Sequence, residues 1–441
     1  MIEFLMSPGG IMAMVTIVGV LLFVLGSPMF LVLGLWVVVA HLVYGFPLEN
    51  VGSSMFEGLN SFALLAAPLF ILTGDLIGGG GIAKRIIDFT LAAFGWLRGG
   101  LGMASITASG FFAAISGSNA ATTATIGSIT YPAMVEEKYG KSFAAATAAA
   151  GGTVGIIIPP SILFIVYGYL VNVPISELFL AGIIPGAMLV VAMLVTCFIV
   201  STYRGYGILR PLTVRGVVRT TPGFSLAIFA VALVLWGLYT GVFSPTEAAA
   251  VTVVYCLLAG FLLTRELKLK TLPDLIFRSG MIVGIIMPLV AVSLVMQQMF
   301  AVMGVDRAVA DMLSGLGGYY AILAACMVVV FVAGMLVESV PITIIFAPIM
   351  APVIVKAGGD PFHFAVVFVV GTAIGFITPP FGLNLFVASS VSGVPYLNIA
   401  RYVIPYLAAL IVTWIVIALV PETATYLAKF AGLKGGGLRM N

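Results

Sequence analysis

Charge is the scarcest property of this chain: Asp, Glu, Lys and Arg make up 8% of its 441 residues, where soluble domains carry roughly a quarter. That shortage excludes a soluble enzyme, and a net charge of +3 gives no argument for nucleic-acid binding. Histidine is almost missing, with His41 and His363 alone. No H-E-x-x-H, phosphate-binding loop or paired-cysteine metal motif occurs. The three cysteines, Cys197, Cys256 and Cys326, fall in apolar segments and read as inert buried thiols. No soluble stretch is long enough for a separate catalytic domain. What is present is apolar: 62% hydrophobic residues, a mean hydropathy of +1.23 and runs of about 20 apolar residues throughout. An all-α polytopic membrane protein follows. Residues 11–25 are apolar enough to imitate a signal peptide, but with no basic region before them they read as a retained span.

One motif occurs twice. Gly151-Gly152-Thr153-Val154-Gly155-Ile156-Ile157-Ile158-Pro159-Pro160-Ser161 is answered by Gly371-Thr372-Ala373-Ile374-Gly375-Phe376-Ile377-Thr378-Pro379-Pro380-Phe381, a shift of 220. The same shift places Pro68 on Pro288, Pro132 on Pro352 and Pro185 on Pro405, so five of the ten prolines in residues 1–221 find a partner. Chance would give roughly 0.6 such matches, and internal repeats of this kind build transporter folds. Each motif runs a Pro-Pro pair through a long apolar segment, where a continuous helix loses hydrogen bonds and clashes with its own carbonyls. At membrane depth such a break survives only where protein buries it or a cavity accepts it.

The first repeat, 1–205, reads as spans at 11–25, 28–45 and 53–77, an interfacial amphipathic helix from Ile82 to Leu91, a re-entrant hairpin 99–137 with its tip at 116–119, a broken helix 142–171 and a span 178–203. A basic linker follows at 206–221. The second repeat, 222–425, gives 223–243, 246–264, 274–303, an interfacial stretch 305–317, a hairpin 318–355, a broken helix 361–391 and 401–420, with a tail at 426–441. Five crossings per repeat invert the second against the first. Placing the linker in the cytoplasm puts 14 of the 19 Lys and Arg residues on that side, leaving Arg307, Lys356, Lys429, Lys434 and Arg439 outside with both termini.

Two tips and two breaks related by an in-plane pseudo-two-fold axis meet near the midplane. Unwound carbonyls and neutral side-chain oxygens suit a hard cation such as Na+, and half-helix N-termini suit a carboxylate. Ser116, Ser118 and Asn119, with backbone at Gly155 and Ile156, form the first candidate cation site. Glu338 and Ser339, which the shift sets opposite Ser118 and Asn119, form the second with Gly375 and Thr378, and Glu338 could bind Na+ or titrate with a proton. Ser118, Asn119, Pro160, Ser161, Thr378, Pro380 and Asn384 are the candidate substrate contacts. Thr122 and Thr123 read as packing residues. No Arg or Lys is expected at the midplane, so an anionic substrate must be met by helix termini, hydroxyls and co-bound cations. An intramembrane serine hydrolase centred on Ser118 lacks a base, since both histidines are expected elsewhere.

At Ile115-Ser116-Gly117-Ser118-Asn119-Ala120-Ala121-Thr122, Gly155-Ile156-Ile157-Ile158-Pro159-Pro160-Ser161 and Gly375-Phe376-Ile377-Thr378-Pro379-Pro380-Phe381-Gly382-Leu383-Asn384-Leu385-Phe386, the chain resembles the large membrane subunit of tripartite ATP-independent periplasmic (TRAP) transporters. Gly26-Ser27-Pro28 and Gly79-Gly80-Gly81-Ile82-Ala83-Lys84-Arg85 are similar to that family too. One departure is Glu338-Ser339-Val340, where members often carry a hydroxyl at the position of Val340. The resemblance implies a bacterial inner-membrane protein performing Na+-driven uptake of a C4-dicarboxylate, keto acid or sialic acid by an elevator movement. It also implies two partners, a small four-helix membrane subunit and a periplasmic substrate-binding protein. A stand-alone Na+/dicarboxylate or citrate symporter is the rival within transport, and a channel would carry flux without Na+ coupling.

Overall fold

The computed structural model describes residues 7–315 and 317–430, and every regular element among them is a helix. Residues 1–6, Leu316 and 431–441, which carry Lys434 and Arg439, lie outside the described residues. Eight of the described helices are long and apolar enough to cross a membrane. In chain order the first repeat contains α1 (Pro8–Val24), α2 (Met29–Tyr44), α3 (Glu49–Leu59), α4 (Ala66–Gly79), α5 (Ile82–Phe94), α6 (Gly100–Ser116), α7 (Asn119–Glu136), α8 (Lys141–Gly152), α9 (Ile162–Val171) and α10 (Ile175–Arg204). The second contains α11 (Val214–Tyr239), α12 (Pro245–Leu258), α13 (Leu272–Met303), α14 (Val305–Ser314), α15 (Tyr319–Leu336), α16 (Ser339–Lys356), α17 (Pro361–Gly375), α18 (Leu383–Ser392), α19 (Tyr396–Leu419) and α20 (Glu422–Phe430). The shift of 220 carries α7 onto α16 end for end, and α6, α9 and α14's counterpart α5 onto their partners within a few residues.

Several boundaries differ from the sequence reading, among them the start of the expected tail at 426, which lies inside α20. The span expected at 53–77 is divided, because Asn60 and Ser61 leave helical geometry between α3 and a 3-10 turn, Phe62–Leu65, that feeds α4. The linker expected at 206–221 is half helical, since the Thr213 hydroxyl accepts from the Gly216 N–H and starts α11 at Val214. The face of α5 that carries Ile82, Ile86 and Ile87 is buried and packs against α6 and α11.

The two breaks resolve their freed backbone groups by different means. Both Pro159-Pro160 and Pro379-Pro380 peptide bonds are cis. At the first, the Ser161 hydroxyl donates to the Ile156 carbonyl at 2.6 Å, then caps α9 by accepting from the Phe164 N–H at 3.3 Å. At the second, Phe381 stands where Ser161 stood and has no hydroxyl. There the Phe376 carbonyl accepts instead from the Asn384 N–H at 3.0 Å, while the Thr378 hydroxyl turns back on the Ile374 carbonyl at 2.8 Å.

Between these breaks the repeats interlock reciprocally. The half-helix after the first break, α9, packs on α16 of the second hairpin, and its counterpart α18 packs on α7 of the first. Close approach depends on small residues, as expected where lipid removes the hydrophobic drive between helices. All of Ala144 to Ala150 in α8 is buried, enclosed by α6, α7, α18 and α19.

Candidate functional site

Both hairpin tips and both breaks open onto a single cavity of about 1010 Å3. Ser116, Ser118 and Asn119 reach it from the first tip, Glu338 and Ser339 from the second, and Ile156 and Phe376 from the breaks. Gly155, Pro160, Ser161, Gly375, Thr378, Pro380 and Asn384 are not among its lining residues.

The first tip is a tightly wired turn. Gly117 has φ +58°, which lets α6 end and α7 begin within three residues. Thr122 donates its hydroxyl to the Ser118 carbonyl at 2.7 Å, so Ser116, 2.9 Å from that hydroxyl, must be the donor to it. The Asn119 Oδ1 accepts from the Ile156 N–H at 2.9 Å, fastening the tip to the first break. Gly155 lies so close behind it that a Cβ there would sit 2.6 Å from the Asn119 nitrogen. The backbone facing the tip is therefore the Ile156 amide, whereas its carbonyl is held by Ser161.

Among the described residues, four buried polar atoms on the elements that meet at this tip and break have no hydrogen-bond partner: Asn119 Nδ2 and the hydroxyls of Ser109, Thr123 and Thr153. A Cβ on Gly151 would lie 2.7 Å from Ser109 Oγ, and one on Gly152 would lie 3.0 Å from the Asn119 carbonyl and overlap Thr123. The absence of side chains at Gly151 and Gly152 thus lets Ser109 and Thr123 approach this stretch of backbone closely. Sequence reading passed over Ser109 and Thr153 and assigned Thr123 to packing. The two glycines ahead of Thr153 were the available signal.

The second tip has a different construction. Val337 is extended where the first tip has glycine, and Glu338 caps α16, its carboxylate accepting from the Ser339 hydroxyl at 2.9 Å and the Val340 N–H at 3.0 Å. Ser339 is buried, but Glu338 is exposed to the cavity, so a charge placed within the span keeps access to solvent or ions. Gly375 meets the last turn of α15, just ahead of this tip. A Cβ on it would lie 2.6 Å from Gly334 Cα, which shows α17 crossing α15 backbone to backbone. Among the described residues no hydrogen bond joins Glu338 or Ser339 to residues 375–378. Asn384 reaches the other repeat instead, donating to the Ala149 carbonyl at 3.3 Å while its Oδ1 stays buried and unpartnered.

A cationic side chain also lines the cavity. Arg278 of α13 lines it together with Asp75 of α4, its Nε 3.6 Å from the Asp75 carboxylate. Ser279 donates to the other Asp75 oxygen at 2.6 Å. Arg278 remains 61% exposed, so its remaining guanidinium donors are open to the cavity. The two histidines are committed elsewhere: His41 to the Val37 carbonyl, and His363 to Tyr319 and the Ile417 carbonyl. Neither serves Ser118 as a base.

Residues 11–423 match the tripartite ATP-independent periplasmic transporter, DctM component, family. The C4-dicarboxylate TRAP transporter large permease protein DctM of Pseudomonas aeruginosa is 33% identical over 386 residues, covering 87% of this chain and 90% of its own. The isethionate TRAP transporter permease protein DctMQ of Oleidesulfovibrio alaskensis is 34% identical over 411 residues, or 92% of this chain and 65% of that longer protein. In fold, the YdaH transporter of Alcanivorax borkumensis superposes with a TM-score of 0.60 at 14% identity, over 84% of this chain and 88% of that one. The two sequence relatives are named as TRAP transporter permeases. The chain belongs to the DctM component family of tripartite ATP-independent periplasmic transporters, as a multi-pass membrane permease and not an enzyme.

Proposed function

We propose that this chain is the permease through which a small organic-acid anion, handed over by a periplasmic binding protein, enters the cell coupled to Na+. The observation that carries the proposal is the convergence of two unlike hairpin tips on one cavity. The second tip brings its own carboxylate, Glu338, which already meets the N-terminus of α16 and, among the described residues, lacks a cationic partner. A negative charge so placed favours a cation beside it. The first tip brings the N-terminus of α7, whose cap, Ser118, is neutral and only 3.4 Å from the Ala121 amide, leaving its dipole available to a carboxylate. The free hydroxyls of Ser109, Thr123 and Thr153 offer Na+ a second set of oxygens behind Asn119.

In this reading a Na+ ion near each tip lowers the energy of the anion between them, and neither ligand is retained well without the other. Arg278 gives the anion a further partner by sharing itself between Asp75 and the substrate. The hairpins, broken helices, α10 and α19 move as one body against α1–α4 and α11–α13, an elevator that exposes the cavity to either side. The small four-helix subunit braces the second group.

The test is uptake of radiolabelled C4-dicarboxylate, keto acid and sialic acid into proteoliposomes holding this chain, its small subunit and the added binding protein. An inward Na+ gradient is expected to drive accumulation. Equal accumulation with Na+ replaced by choline would refute the coupling, and accumulation by the chain alone would favour a stand-alone symporter.

A further inference from the structure

A second cavity, of about 420 Å3, lies far from the hairpin tips in the lining it presents: Phe143, Tyr203, Arg204, Tyr206, Arg401 and Tyr402 are among its residues. It contains two guanidinium groups and no acid. Among the described residues neither Arg204 nor Arg401 takes part in an ion pair. Two like charges facing one concavity without a counter-ion repel each other, and an anion between them removes that repulsion.

Its position in the fold identifies the kind of anion. Arg204 is the last residue of the 30-residue span α10, and Arg401 lies in the second turn of the 24-residue span α19, which packs alongside α10. The ends of two adjacent spans put both guanidiniums at headgroup level. Tyr203 and Tyr402, both exposed, sit beside them as interfacial aromatics do. Toward the membrane interior, α10 exposes Val191, Val195 and Ile199 at steps of four, one stripe of the helix, and α19 exposes Ile404 and Val412. The floor is aromatic, with Phe143 between Tyr206, tilted at a ring distance of 5.3 Å, and Tyr406, stacked at 5.8 Å.

We propose that this pocket binds an anionic phospholipid, with the phosphate bridging Arg204 and Arg401 and an acyl chain lying along the exposed stripe of α10. A zwitterionic lipid offers the same phosphate, but its ammonium would face two guanidiniums. A soluble phosphate would satisfy the charges and leave the stripe uncovered. The anionic lipid meets both.

The test uses thermal unfolding of the purified full-length chain in neutral detergent, with phosphatidylglycerol, phosphatidylcholine or inorganic phosphate added. Phosphatidylglycerol is expected to raise the unfolding temperature saturably, and R204Q/R401Q is expected to need roughly tenfold more lipid for the same rise. An equal rise with phosphatidylcholine, an unchanged dose response in the variant, or a full rise with inorganic phosphate would each overturn the proposal. A rise that disappears when the small membrane subunit is bound would show that this subunit, not lipid, covers the pocket. Should the double variant fail to fold, R204Q and R401Q are compared singly by native mass spectrometry. Each is expected to retain less phosphatidylglycerol than the unaltered chain, and equal retention overturns the assignment.

Discussion

Asn119 holds the first tip to the first break through one hydrogen bond to a buried amide, and removing it leaves the Ile156 N–H without a partner. Asn119→Ala is expected to cost about 1–3 kcal/mol of stability and to lower uptake. An unfolding temperature equal to that of the unaltered chain would mean the tip is held by other contacts. Arg278 leads to a second expectation at this scale. Arg278→Gln is expected to reduce carboxylate uptake efficiency by roughly ten- to hundredfold, the size of one charge-assisted hydrogen bond, with Arg278→Lys recovering part of it. Transport rates measured across substrate concentrations distinguish this from a folding defect. The sequence hid Arg278 because a basic residue six positions into a span reads as a loop charge. Which cavity it lines depends on α4 and α13 meeting, and no local pattern encodes that. The free hydroxyls of Ser109, Thr123 and Thr153 were hidden for a related reason. Most Ser and Thr in membrane helices bond their own i−4 carbonyl, as Thr107 and Thr147 do here, so an exception is visible only in three dimensions.

At the level of elements, the tips and breaks were legible because proline and glycine act on the backbone where they stand. The helices α8 and α17 stop at Gly152 and Gly375, ahead of the Pro-Pro pairs, and the shift of 220 relates the helices of the two hairpins to within a residue. The symmetry did not extend to side chains. Gly155 and Gly375 occupy equivalent positions, yet the first backs onto Ser118 and Asn119 at the hairpin tip and the second onto Gly334 in the last turn of α15, just short of the tip. Gly375→Ala is therefore expected to force α17 from α15 and to destabilise the protein by about 1–3 kcal/mol. Gly280→Ala on α13, where a Cβ meets nothing within 4 Å, is expected to be neutral or stabilising by about 0.5–1 kcal/mol. Thermal unfolding of the two variants in one detergent compares them directly; equal behaviour would show that the α15–α17 contact yields without cost. The break at Asn60 and Ser61 was missed because two small polar residues within a span carry a weak signal beside a proline pair.

For the whole molecule, the reciprocal packing of α9 on α16 and α18 on α7 ties the hairpins and broken helices of the two repeats together, and α4 and α13 meet that group both across the cavity and by direct packing. Ala121 of α7 and Ile282 of α13 line the cavity from these two groups. If transport moves one past the other, cysteines at both positions joined by a flexible bis-maleimide are expected to stop uptake, with either cysteine alone having little effect. The native cysteines are buried and should react slowly. Uptake that continues through the cross-link would exclude the elevator. The central claim is that the two tips hold the coupling ions, and the Na+ dependence of uptake by Ser118→Ala and Glu338→Ala in reconstituted complexes tests it most directly. The account predicts that each variant needs roughly tenfold more Na+ for half-maximal uptake; a Na+ dependence unchanged in both would contradict it.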